Sequence, residues 1–230
     1  LKNHSKERTF VVFKKRIMEN IEKLNHYDIF EVIDTFKIEK IRNCTTLKNW
    51  LDVSGSLNPY ENQFMEQARE QLDLKWNEWN EEELKMHFIS LVFFIAQIEV
   101  PKHLSIFYER KLSGKVNDVI ISLIVDCMLA NSTFSGRPKL PYFFLQEFKQ
   151  SLGDGHDPEG QMLAAMILAQ ELNQDKQPLY GCWLQGKFWN FTTLIGKEYC
   201  ISKTYDATNI DDLHQIVFIL RKLKELILNR

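Results

Sequence analysis

The sequence predicts a mixed α/β (α+β) chain, with an all-α N-terminal region over residues 1–79 and a helix-and-strand domain over residues 80–230. Three observations predict it. Up to Trp79 apolar residues recur at threes and fours, as Phe10, Phe13, Ile17, Ile21 and Leu24 do, which is the period of one helix face. After Pro101 the apolar runs turn β-branched and aromatic, with turn residues between them. A chain of 230 residues with 44% hydrophobic and 26% charged residues also has enough apolar surface to bury a core under a sheet.

The elements follow in order. Helical stripes continue through Ile29 to Ile41 and Leu47 to Leu51. Asn58-Pro59 pairs a capping residue with proline at the first helical position and opens "YENQFMEQAREQLDLKW". Asn80, with Glu83 three residues on, starts a helix expected to run to about Ile98; its acidic first turn suits the positive end of the helix dipole. "LSIFYERKLSGKVNDVIISLIVDCMLA" reads as two or three antiparallel strands with turns at Ser113-Gly114 and Asn117-Asp118, and Tyr142 to Gln150 as the next strand. Asp157 as N-cap and Pro158 at N1 open a helix to about Asn173. A hairpin turning at Gln185-Gly186, a strand after Gly196 and a helix from Ile210 to about Leu228 complete the chain.

Several function classes lose their footing early. A formal net charge of −2 makes the chain as a whole no magnet for nucleic acid, so such contact needs a local basic face. Cys44, Cys127, Cys182 and Cys200 are widely spaced and signal neither a zinc module nor a disulfide framework, which suits a reducing cytoplasm. The most apolar run, Phe88 to Ala96, is far short of the roughly 20 residues of a membrane span. No G-x-S-x-G, Walker loop, dinucleotide glycine pattern or HExxH occurs. The eight acids between Glu61 and Glu83 read as a solvated face, and Trp183, Phe188, Trp189 and Phe191 as alternating core positions of a hairpin.

The stretch "PYFFLQEFKQ" carries the chemistry. Residues two apart on a strand share a face, so Glu147 and Lys149 project together at the end of an apolar run. A surface ion pair at a sheet edge is the plain reading. Burial argues otherwise, because an unpaired charge in a core strand is costly. Asp126 interrupts another apolar strand, "SLIVDCMLA". Two acids in two core strands suit a hard divalent cation such as Mg²⁺ or Mn²⁺, which takes one or two carboxylates and leaves positions for water and a phosphate, while a lysine alongside can orient water or meet phosphate charge.

Asp126, then Glu147-Phe148-Lys149, in an αβββαβ order resembles the PD-(D/E)xK nuclease superfamily over roughly Asn80 to Arg230. The similarity through "EEELKMHFIS", "FFLQEFK", "DPEGQMLAAMILAQ" and "YGCWLQGKFWNF" is to uncharacterised bacterial members. The resemblance implies a restriction-endonuclease-like core with a mixed sheet flanked by helices. It implies Asp126, Glu147 and the Phe148 carbonyl as metal ligands, Lys149 as the water-activating or water-positioning group, and Gln161 orienting Lys149 or the water. Glu81 or Glu82 would be the first-helix glutamate. Val125 stands where the superfamily often has proline, and Asp118 competes with Asp126 but sits in turn chemistry. His156 is an accessory candidate beside the plainer reading of a loop histidine. Lys102, Arg110, Lys111, Lys115, Arg137 and Lys139 form the candidate basic set for phosphates. The expected activity is Mg²⁺-dependent phosphodiester hydrolysis on DNA, with RNA as second choice. The alternative is a nuclease-fold module that binds nucleic acid or protein without turnover. A homodimer is compatible with either, and membrane insertion is not expected.

Overall fold

Residues 22–24, 27–42, 44–133, 136–149 and 157–230 are described by the computed structural model. The first elements are β1 (Glu22–Lys23), α1 (Ile29–Phe36), β2 (Glu39–Ile41), α2 (Thr45–Leu51) and α3 (Pro59–Lys75). Then come α4 (Glu81–Leu84), a π-helical turn (Lys85–Ile89) and α5 (Ser90–Ala96). Strands β3 (Leu104–Val116), β4 (Val119–Ser132) and β5 (Pro138–Lys149) precede α6 (Pro158–Asn173). The chain closes with β6 (Leu179–Gln185), β7 (Phe188–Ile195), β8 (Glu198–Ile201), β9 (Tyr205–Asp206) and α7 (Ile210–Leu228).

One mixed sheet runs in the order β1-β4-β5-β6-β7-β8-β2, with β3 added to β4 and β9 to β7. β3, β4 and β5 form an antiparallel meander, and so do β6, β7 and β8. β5 and β6 are parallel, joined across α6, as a helical crossover requires. One apolar core gathers residues of α2, α3, α5 and α7 against the sheet, with Trp50 wholly buried edge-on to Phe144, Tyr180 and Phe191. The other is built around α1 and α6. Helix α6 is buried over most of its surface, packed against the sheet and α1, and residues 27–29 cross its first turn, where a Cβ on Gly160 would lie 2.7 Å from the Ile29 nitrogen.

The local signals hold. Asn58 caps α3 in a full capping box with Glu61, Asn80 does the same with Glu83, and Asp157 caps α6 with Pro158 in its first turn. Four expectations need correction, the first being the turn at Ser113-Gly114, which instead lies within β3 paired with Ser122 and Ile121. The N-terminal region is not all-α, because β1 pairs with β4 and β2 with β8, both parallel, so the sheet draws on both sides of residue 80. Strands of two and three residues leave no periodicity to read. The helix from Asn80 ends at Ala96 and is interrupted by the π turn. Cys44 and Cys200 form a disulfide, brought together where α2 begins beside β8, at a sequence separation of 156 residues. The predicted stripe Phe10, Phe13, Ile17 and Ile21 lies outside the described residues.

Candidate active site

The site sits at a fork in the sheet. Residues from Cys127 onward on β4 pair with β5, ending at Cys127 opposite Gln146, whereas the start of β4 pairs with β1 at Val119 and Ile120. Asp126 and Glu147 are the next residues on the two diverging strands. With no further ladder pair there, the Phe148 N–H donates to Asp126 Oδ2 at 2.8 Å, so a side chain takes over where the backbone pairing stops. Both carboxylates are buried, Asp126 at 7% and Glu147 at 5% exposure.

Lys149 Nζ lies 3.2 Å from Glu147 Oε1 and 3.3 Å from Glu81 Oε1, so Glu147, Lys149 and Glu81 come together. Glu82 contacts Lys85 at 2.8 Å. Burial pushes the Glu147 carboxyl up to about 8, the neighbouring Asp126 charge adds to this, and Lys149 opposes it. Asp126 is also raised, chiefly by burial, against the Phe148 N–H, Lys149 and Lys85. Burial works against the charge on Lys149, but Glu147, Asp126 and Glu81 outweigh it and raise its pKa, so Lys149 keeps its proton.

Two residues of the cluster escaped the sequence reading. Lys85 is almost wholly buried, and its ammonium reaches Glu109 at 2.6 Å, Glu82 at 2.8 Å and Asp126 at 3.9 Å. Burial lowers its pKa, but hydrogen bonds to Glu109 and Glu82 outweigh this and hold it above the ordinary lysine value. One signal was available, since Lys85 heads the helical stripe Ile89, Val92 and Ala96, all buried. Glu109 gave no local signal. It stands across from Asp126, between the pairs Tyr108–Cys127 and Arg110–Val125, with φ of 51° in the middle of a strand.

Other candidates are placed elsewhere. Asp118 is an exposed turn residue paired with Lys115 at 3.0 Å, eight positions and so about 25 Å along β4 from Asp126. Arg137 and Lys139 lie at the opposite end of β5 from Glu147, and Lys115 at the β3–β4 turn, so the basic set does not form one face. Only Arg110 and Lys111 flank the site, opposite Val125 and Ile124. Lys102 lies in the turn before β3. Gln161 is in the first turn of α6, its Oε1 buried with no partner among the described residues and outside the ion-pair cluster. His156 lies outside the described residues.

The donor set fits a hard divalent cation in one respect: two carboxyls are buried side by side, burial raises the proton affinity of both, and the Asp126 charge raises that of Glu147 further, so added positive charge would favour their ionised forms. Among the described residues no three His, Cys, Asp or Glu side chains form a ready cage, so a cation here would complete its shell with backbone oxygen and water. No helix among the described residues is long and apolar enough to cross a membrane. No protein-family model matches the chain and no curated protein matches it.

Proposed function

We propose that the chain is a metal-dependent nuclease with a restriction-endonuclease-like core, cutting phosphodiester bonds of DNA, or of RNA as the second substrate class. The observation that carries this is the meeting of Asp126, Glu147, Lys149 and Glu81 at the β4–β5 fork. Asp126, Glu147 and the Phe148 carbonyl would hold Mg²⁺ or Mn²⁺, which when bound supplies charge neutralisation at the phosphate and an acidified water. Lys149, whose pKa its acidic neighbours Glu147, Asp126 and Glu81 raise against burial, suits the orientation of water or the meeting of phosphate charge better than proton abstraction. Gln161 would orient Lys149 or the water by resemblance alone, since its buried carbonyl oxygen has no partner among the described residues and stands outside the ion-pair cluster.

One observation favours a second reading, a nuclease-fold module that binds nucleic acid or protein without turnover. Lys85 already gives Asp126 and Glu109 a counter-charge. The test incubates supercoiled plasmid, single-stranded and duplex DNA, and RNA with the wild type, Asp126→Asn and Glu147→Gln, with Mg²⁺, with Mn²⁺ and with EDTA. Cleavage by the wild type alone, dependent on metal, is the expected result. No cleavage of any substrate, together with Mn²⁺ heats identical for wild type and Glu147→Ala, would remove the enzyme reading.

A further inference from the structure

Lys85 touches the proposed site without a role in it. Its short contacts, 2.6 and 2.8 Å, go to Glu109 and Glu82, and its long one, 3.9 Å, goes to Asp126 Oδ1. An ammonium with three protons beside a buried carboxylate gains by closing on it, since attraction rises as separation falls and water is excluded. Three features oppose that closure. The π turn starts at Lys85 and changes the helical period at this position; such turns are frequent at functional sites. Glu109 reaches the ammonium from a left-handed backbone in mid-strand, which a non-glycine residue adopts only under constraint. Asp126 is pinned by Phe148 through its other oxygen, which keeps the carboxylate from swinging towards Lys85.

We infer that Glu109 and Glu82 clamp Lys85 at a distance from Asp126, so that Lys85 stabilises the Asp126 charge while leaving Oδ1 open to a divalent cation. Lys85, Glu82 and Glu109 are thus positioning residues. The inference rests on Asp126 being a metal ligand. It explains why a cation is buried in the site and why its hydrogen bonds are directed away from the proposed ligand.

A double-mutant cycle tests it, with Mn²⁺ titrated calorimetrically into the full chain as wild type, Glu109→Gln, Lys85→Met and the pair together. When Glu109 can no longer hold it by charge, Lys85 closes from 3.9 Å towards about 2.8 Å, which at an effective dielectric of about 20 weakens Mn²⁺ binding on the order of tenfold. In the Lys85→Met background nothing remains to close, so Glu109→Gln should cost less than about threefold there. Equal costs in the two backgrounds would overturn the clamp, because losing a negative charge through space acts alike in both. A wild type that binds no Mn²⁺, or binds it just as Glu147→Ala does, would instead overturn the metal site and the clamp with it. Melting curves check that each variant folds, and Lys85→Gln takes the place of Lys85→Met in the same cycle if that protein does not.

Discussion

Replacing Glu147 by glutamine should flatten the pH dependence of stability in the metal-free protein. In the folded chain burial pushes the Glu147 carboxyl up to about 8, from an ordinary value of 4.5. Below the lower value the group is protonated in both states and stability is fully present. As pH rises the unfolded chain ionises first while the folded chain keeps its proton, so stability falls until the folded carboxyl ionises as well. At about 1.4 kcal/mol for each pH unit between the two values, the loss is on the order of 5 kcal/mol. Glutamine has the same shape and no charge to bury, so Glu147→Gln should escape this loss. Asp126, also raised, adds slope of the same sign to both proteins, which is why the difference between the curves is the quantity to read. Urea denaturation in EDTA at intervals from about pH 5 to about pH 9 measures it. Curves that run parallel would mean that Glu147 is hydrated, and that the fork does not bury it.

Two further outcomes test the framework around the site. Gly160→Ala should destabilise the chain by roughly 1–3 kcal/mol, because the new methyl would meet backbone atoms of residues 27–29, which cannot yield as a side-chain tip does; an unchanged urea midpoint would place that segment away from α6. Cys44→Ser should lower stability by about 2–4 kcal/mol under oxidising conditions and by far less in reductant; mass measurement after alkylation of the oxidised chain would contradict the pairing if Cys44 and Cys200 were both labelled.

What could be read from the sequence was local or periodic. Asn58-Pro59, Asp157-Pro158 and the Ile210–Leu228 stripe are decided within a few residues of themselves, and they stand as expected. Asp126, Glu147 and Lys149 were legible because charge in an apolar strand conflicts with its surroundings. Lys85 conflicted with its stripe in the same way, but an i,i+3 acid makes a helical lysine look like a surface pair, and Glu82 supplies one. Glu109 was invisible because its part depends on a backbone torsion and on register with β4. The basic residues were close in sequence and not in space, since long strands carry neighbours apart at about 3.3 Å per residue. The strands β1 and β2 owe their existence to partners more than ninety residues away.

Those same pairings set the order in which the chain can fold as it emerges from the ribosome. The β2 strand waits for Glu198–Ile201, and Trp50 finds its hydrogen-bond acceptor only at Ile219, 169 residues later. Synthesis at about 5–20 residues per second puts roughly ten to thirty seconds between making that indole and making its acceptor. Contacts of such span slow the search for the native state. Trp50 is therefore completed in stages: its aromatic neighbours Phe144, Tyr180 and Phe191 are made before the last helix, and the acceptor for its indole N–H comes with that helix.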